Sequence, residues 1–308
     1  PALVDPTDEA IVTANSFLPV PLPAWFQGEF DTPYRADRIR DRLAMKRDWT
    51  PAELALLQTD ATSLWAKWLV PKLAGDHAGA AARAWVALQG WDGEMGERGA
   101  PALFALVERH LQRAVFEDEA KQANLARFGT RWRLVRLFDG EMSSDWFDDV
   151  STPAKESRAA TVETALAAAW QEGSRRWGPD VAAWPYAGIH NLKLDHTLGT
   201  VPLVGRLFNR GPFPLGGSAT TVMAFGGPWQ GDTMDVEYGA SMRLVNDLGD
   251  PDRGISILPG GQAGHPWDPH YADQLPLYLR HETRPVPWTD GAIDQATVTR
   301  LQLVPGAE

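Results

Sequence analysis

The chain of 308 residues is 44% hydrophobic and 22% charged, which suits a globular protein with one large core or two modest ones. Its 29 Lys and Arg against 40 Asp and Glu give a net charge of −11, and without a basic run it is not expected to bind nucleic acid. The absence of cysteine excludes disulfides, thiol catalysis and cysteine-ligated metals. No stretch approaches the roughly 18 apolar residues of a membrane span, so we expect no membrane partner.

The first 34 residues are predicted to form a loop. Prolines recur there and forbid a long helix, at Pro6, Pro19, Pro21, Pro23 and Pro33. The chain opens PALVDPTDEAIV, with neither an initiator Met nor a signal peptide. We interpret it as a piece of a longer polypeptide that was cut or processed upstream.

From about residue 35 to residue 178 the pattern predicts helices. Thr50-Pro51-Ala52-Glu53 is a capping box with proline at the first helical position. A later helix is expected to begin at Thr152-Pro153. The apolar faces are Leu54, Leu57, Leu64, Trp65 and Trp68, then Leu103, Phe104, Val107, Leu111, Ala114 and Val115, then Val162, Leu166, Ala169 and Trp170.

Near residue 179 the composition changes to frequent glycine and proline with short alternating runs. These runs lie around 234–238, 242–244 and 255–257 and predict strands, and residues 271–280 could add one helix. Helices followed by strands predict an α+β fold. We therefore expect an active-site loop segment (1–34), a helical region (35–178) and a β-rich region (179–308) in one globular unit that is incomplete without upstream chain.

Residues 257–274 read ILPGGQAGHPWDPHYADQ and allow three interpretations. A phosphate-binding loop fails, because Pro259-Gly260-Gly261 lacks the Lys and Ser/Thr of a P-loop, and Pro266 and Pro269 block a helix start. A metal site would use His265, Asp268, His270 and Asp273, whose spacing fits no helical metal motif. The favoured interpretation is a proline-stiffened corner with hydrogen-bonded histidines.

The stretch MRLVNDLGDPDRGISILPGGQAGHPWDPHYADQLPLYL, residues 242–279, resembles the C-terminal signature of the penicillin acylase (penicillin amidase) family of N-terminal-nucleophile hydrolases. Further matches occur in family order along nearly the whole chain. They are IVTAN (11–15), YRADRI (34–39), LQTD (57–60), WDG (91–93), HTLG (196–199) and FNRGPF (208–213).

The resemblance implies part of an N-terminal-nucleophile (αββα) hydrolase fold and an amide-cleaving enzyme. In this family the nucleophile is the first residue of the β chain, usually Ser, and its own α-amine is the base. Pro1 has neither hydroxyl nor thiol, and the motif order places the nucleophile upstream. The chain is thus expected to be the C-terminal part of a β chain, partnered by the upstream half of that chain and by the α chain of the same precursor, and inactive when isolated.

Asn15 matches the family asparagine whose side-chain amide donates to the developing oxyanion. Without the resemblance, an asparagine favouring a turn before Pro19 is the simpler interpretation. Many relatives have Asn-Asn at this place, whereas this chain has Asn15-Ser16.

Arg38 matches the family arginine that helps to hold the nucleophile's amine and the oxyanion asparagine. Its alternative is a solvated helix arginine, because Arg35, Arg40 and Arg42 lie beside it.

Relatives often hold one calcium ion between the two chains, with an acidic ligand between the asparagine and the arginine. Glu29 and Asp31 fall in that interval, but a single carboxylate is not a calcium site. We therefore expect no metal or cofactor in this chain, and a possible structural calcium in the intact enzyme. His190 and His196 lack an evident third metal ligand.

The resemblance also implies a small-molecule amide substrate and a periplasmic or secreted location. The alternatives are an acyl-homoserine-lactone or other acylase of the same superfamily, and a non-catalytic scaffold when the chain is isolated. The acyl pocket is not assigned, and the fourteen tryptophans indicate core before pocket.

Overall fold

The structure, a computed structural model, describes residues 10–17, 25, 30–125, 130–201 and 203–304. Its α-helices, in chain order, are α1 Tyr34–Leu43, α2 Pro51–Leu57, α3 Leu64–Lys72, α4 Gly79–Gln89, α5 Ala100–Gln122, α6 Arg131–Phe138, α7 Arg158–Trp177, α8 Gly205–Phe208, α9 Leu275–Leu279 and α10 Asp290–Ala296. The strands are β1 Asn191–Leu194, β2 Arg210–Pro214, β3 Phe225–Gly226, β4 Tyr238–Gly239, β5 Arg243–Val245, β6 Ile255–Ile257 and β7 Arg284–Pro285. The predicted α+β class is confirmed, and α1 to α7 precede the first strand, whereas α8, α9 and α10 lie among or after the strands.

The chain divides into two compact units, whereas the sequence predicted one. The first unit contains the described residues up to Met45 and Asp60–Gly239, and the second contains Lys46–Thr59 and the described residues from Ala240 onwards. The composition change near residue 179 lies inside the first unit, because that unit contains α1, α3 to α8 and the short strands β1 to β4.

Capping side chains define where helices begin. Thr50 forms the predicted capping box, since Glu53 N donates to its hydroxyl over 3.3 Å and Thr50 N donates to the Glu53 carboxylate over 2.9 Å. The apolar face expected to run from Leu54 to Trp68 is divided between two helices. A new helix, α3, begins after Ser63, whose hydroxyl accepts a hydrogen bond from Ala66 N. The expected helix start at Thr152-Pro153 was wrong, since Ser157 caps α7 by accepting from Ala160 N.

The core of the first unit lies where α5 packs against α7 and α7 against α4. Trp184 is fully buried and its ring lies against Gly173 of α7, where a Cβ would come within 2.1 Å of the ring. Trp65 is also fully buried, but Trp25, Trp267 and Trp288 are 79%, 68% and 68% exposed. The tryptophans therefore do not all belong to the core. No described helix has the length and apolar character needed to cross a membrane.

In the second unit, β5, β6 and β7 form an antiparallel sheet, with Arg243 opposite Ile257 and Ser256 opposite Arg284. The loop after β6 closes on itself, because Gln262 N donates to the His270 carbonyl over 2.9 Å and Gln274 N donates to the Gly260 carbonyl over 3.0 Å. A Cβ at Gly261 would lie 1.9 Å from the His270 carbonyl oxygen, so this corner requires glycine.

The histidines of this corner have local partners. His270 Nδ1 lies 3.0 Å from an Asp273 carboxylate oxygen, and the ring of His265 lies against Trp267 with 5.1 Å between centroids. In the first unit, His190 Nδ1 lies 3.1 Å from the Leu215 carbonyl and His196 Nδ1 accepts from Leu198 N. Among the described residues no group of three or more potential ligands could hold a metal ion.

Candidate active site

Asn15 lies on a loop that presents its side chain outwards. Ala14 and Ser16 on either side are buried, each 9% exposed, whereas Asn15 is exposed. Asp31 N donates to the Asn15 carbonyl over 2.8 Å, and Ser16 forms a parallel bridge with Asp31. The Asn15 backbone has φ 59°, in the left-handed region that asparagine tolerates better than most residues. Asn15 therefore has the turn conformation that is common for asparagine, and its side chain is exposed on the loop.

Arg35, in the first turn of α1, fixes the orientation of the Asn15 amide. Its Nη2 atom donates to Asn15 Oδ1 over 2.9 Å. A guanidinium has donors and no acceptor, so the amide atom that faces it must be the oxygen. The amide nitrogen Nδ2 is therefore the end turned away from Arg35, and no described residue accepts a hydrogen bond from it.

Arg38 does not make this contact. Its Nε and Nη2 atoms bind the Asp60 carboxylate, over 3.0 Å and 2.7 Å, and Nη2 also donates to the Thr62 hydroxyl over 3.0 Å. The Thr62 hydroxyl in turn donates to Glu94 over 3.1 Å. The arginine one turn earlier on α1, Arg35, makes the contact with Asn15, while Arg38 is held by Asp60. A role for Arg38 in a wider active-site network stays a prediction.

The ion pair of Arg38 and Asp60 is mostly shielded from water. Asp60 is 6% exposed and also lies 3.3 Å from Arg42 Nη1. The hydrogen bond to Asp60 raises the pKa of Arg38. Burial alone would raise the pKa of Asp60, but the hydrogen bonds from Arg38 and from Thr62 N hold it below its ordinary value. Both groups are therefore charged at neutral pH, and the pair anchors α1 to the segment at Asp60.

Asp31 is the described acidic residue in the interval where relatives place a calcium ligand, while Glu29 lies outside the described residues. Thr32 N donates to its Oδ1 atom over 2.8 Å, and Arg35 Nη2 donates to its Oδ2 atom over 3.0 Å. Calcium takes six to eight oxygen ligands, and a guanidinium already bound to the carboxylate would repel the ion. The described residues therefore do not fit a calcium site.

A cleft of about 1160 Å³ lies within the first unit beside this loop. Asp31 belongs to its lining and also donates its backbone N–H to Asn15, so the cleft adjoins the candidate site. Its walls combine aromatic side chains with ion pairs such as Arg131 with Glu108, whose Nε and Oε1 atoms are 2.5 Å apart. The aromatic members include Phe104, Phe116, Tyr186, Phe225, Trp229 and Tyr238. This cleft was not predicted from the sequence, because its walls come from segments far apart in the chain.

The chain is similar to known proteins over most of its length. The penicillin amidase family model matches residues 1–295. An acyl-homoserine lactone acylase of Pseudomonas syringae pv. syringae is 28% identical over 89% of this chain and 36% of its own length. A penicillin acylase 2 proenzyme of Pseudomonas sp. is 28% identical over 99% of this chain and 40% of its own length. The chain thus spans about two fifths of these relatives or less.

A solved structure shares the fold. A thermostable penicillin G acylase of Alcaligenes faecalis superposes with a TM-score of 0.57 at 15% sequence identity. The superposition covers 95% of this chain and 57% of the acylase chain. This likeness shows that the chain shares its fold with part of the acylase chain.

Proposed function

Since this chain belongs to the penicillin amidase family, we propose that it is the C-terminal part of the β chain of an enzyme that cleaves an acyl group from an amine. In this proposal the chain contributes the side-chain donor of the oxyanion hole, Asn15. The nucleophile is an N-terminal Ser of a segment that precedes this chain.

The observation that carries the proposal is the hydrogen bond from Arg35 Nη2 to Asn15 Oδ1. It leaves the N–H donors of Nδ2 pointing away from the arginine, on an exposed side chain beside a cleft. A fixed donor acts on the negative charge that develops on the carbonyl oxygen in the transition state. Losing one such donor typically raises the activation free energy by about 3–4 kcal/mol.

The remaining chemistry would come from the upstream segment. The α-amine of an N-terminal Ser has a pKa near 8 in model peptides, so it can accept the hydroxyl proton close to neutral pH. Attack on the amide then forms an acyl-enzyme with release of the amine, and water releases the acid. The upstream half of the β chain and the α chain are thus the proposed partners, and a periplasmic or secreted location is proposed with them.

The names of the similar proteins suggest two classes of amide substrate. Acyl-homoserine lactone acylases are among the most similar curated relatives, and a penicillin acylase is another. An acyl-homoserine lactone is therefore a second candidate substrate beside a penicillin or a phenylacetamide. All three contain an amide between an acyl group and an amine, so Asn15 would have the same role in each.

The experiment compares the 308-residue chain with the natural precursor that contains it. Both are assayed for hydrolysis of phenylacetamide, penicillin and acyl-homoserine lactone. The proposal predicts turnover by the processed precursor and none by the chain alone. Turnover by the isolated chain would contradict the upstream nucleophile, and inactivity of both would favour a non-catalytic scaffold.

A further inference from the structure

One nitrogen atom joins the Asn15 amide to a carboxylate. Arg35 Nη2 donates to Asn15 Oδ1 over 2.9 Å and to Asp31 Oδ2 over 3.0 Å. An Nη atom has two hydrogens, so these two acceptors can use both of its N–H bonds. The position of the Asn15 amide therefore depends on where Asp31 holds the guanidinium.

Asp31 is itself held in place. Its Oδ1 atom accepts from Thr32 N over 2.8 Å, which fixes the carboxylate next to the start of α1. Arg35 lies four residues later, and its side chain is only 16% exposed. A charge-assisted hydrogen bond between such groups is stronger than one between neutral groups. An arginine held in this way loses much of the freedom that a solvated arginine side chain keeps.

Asp31 also holds the backbone of the same loop. Its N–H donates to the Asn15 carbonyl over 2.8 Å, and Ser16 bridges to it. One residue thus fixes both the main chain and, through Arg35, the side chain of Asn15. A catalytic hydrogen-bond donor needs such fixed placement of both its main chain and its side chain, because small displacements of catalytic groups lower the reaction rate.

We propose that Asp31 is the positioning residue of the Asn15 amide, and that the Arg35 guanidinium is the cation it binds there in place of a calcium ion. This inference rests on the proposed oxyanion role of Asn15. It assigns the acidic residue between the asparagine and the arginines to the active-site loop, and not to a metal site.

The activity test uses the intact enzyme with Asp31→Ala, Asp31→Asn and the matched control Asp37→Ala. Asp37 pairs with Arg40 over 2.9 Å on the exposed side of α1. Asp31→Ala is expected to lower kcat by about a hundredfold while KM changes little, because ground-state binding does not depend on the oxyanion donor. Asp31→Asn keeps an acceptor for Arg35 and should retain more activity than Asp31→Ala, and Asp37→Ala should match the parent.

A double-mutant cycle separates positioning from general stabilisation. If Asp31 acts through Asn15, Asp31→Ala should lower kcat little further in an Asn15→Gly background. Full additivity of the two changes would overturn the inference. If Asn15→Gly leaves kcat unchanged, the proposed function itself fails. If Asn15→Gly lowers kcat but Asp31→Ala does not, only the inference fails.

Three measurements do not depend on turnover. Titration calorimetry with calcium should give the same result for the parent and for Asp31→Asn, and a chelator should not lower the melting temperature of the parent more than that of the variant. A crystal structure of the intact Asp31→Ala enzyme should show Arg35 displaced from Asn15 Oδ1. Calcium binding that disappears in Asp31→Asn, or an unchanged contact of Arg35 with Asn15 in Asp31→Ala, would overturn the inference.

Discussion

Arg35 Nη2 lies 2.9 Å from Asn15 Oδ1, and this contact determines which end of the Asn15 amide is left for a substrate. In the proposed function Asn15 Nδ2 is the hydrogen-bond donor, and the contact with Arg35 orients that amide. These two roles lead to different expectations for substitutions at the two residues.

Replacing Arg35 should impair catalysis more than binding. In Arg35→Met the Asn15 amide loses its charged partner and can rotate, so kcat of the intact enzyme should fall by about tenfold or more with a smaller change in KM. Arg40→Met is the matched control, because Arg40 lies on the same helix, is 50% exposed and pairs with Asp37. Equal kcat values for Arg35→Met and Arg40→Met would contradict the positioning role of Arg35.

The pair of Arg38 and Asp60 should govern stability at low pH. The folded-state pKa of Asp60 is depressed, so its contribution is fully present above the unfolded pKa of about 3.9 and is lost as pH falls through the folded pKa. Below about pH 4 the free energy of unfolding should therefore decrease less steeply with falling pH in Asp60→Asn than in the parent. Urea unfolding from neutral pH to about pH 3 measures both slopes, and parallel curves would contradict the assignment.

Removing the Asp60 carboxylate should also destabilise the fold at neutral pH. Asp60→Ala leaves Arg38 and Arg42 facing each other without their shared anion, which should lower the free energy of unfolding by about 3 kcal/mol. Arg113→Ala is a suitable comparison, since Arg113 is 50% exposed and pairs with Glu117 on the surface of α5. That exposed pair should contribute less than about 1 kcal/mol. Equal losses of stability in the two variants would show that the Asp60 pair does not anchor α1.

The sequence predicted the parts of the fold that local chemistry determines. The Thr50 capping box and the apolar face of α5 each depend on residues close together in the chain, and both are present. The start of α7 was misplaced, because Thr152-Pro153 and Ser157 are both acceptable helix starts, and the Ser157 side chain forms the cap. The pairing of β1 with β2 joins residues about twenty apart, which spacing alone does not reveal.

The candidate site shows the same limit. Motif order pointed to Asn15 and to an arginine near it, but four arginines lie between residues 35 and 42. Arg35 and Arg38 are one helical turn apart, so their spacing does not say which one reaches Asn15. Arg38 binds the Asp60 carboxylate and not Asn15, and Asp60 lies on a segment that follows α1 in the chain. A carboxylate four residues before Arg35, at Asp31, was the available signal in the sequence.

The packing of α7 offers a test of the helical core. In Gly173→Ala the added methyl group would lie 2.1 Å from the Trp184 ring, and overpacking of this kind costs about 1–3 kcal/mol of stability. Gly90→Ala is the matched control, because its Cβ would meet nothing within 4 Å and its φ is −104°. Thermal unfolding should show a lower melting temperature for Gly173→Ala alone. Equal melting temperatures would contradict the buried contact of Gly173 with Trp184.

The most direct test of the account is the kcat of Asn15→Gly in the intact enzyme. Glycine accepts the left-handed backbone at φ 59°, so this change removes the amide without the strain that alanine would add, about 1–2 kcal/mol. The oxyanion role predicts a fall in kcat of about a hundredfold or more, with KM and the melting temperature nearly unchanged. A kcat per folded molecule within about twofold of the parent would mean that Asn15 is only a turn residue.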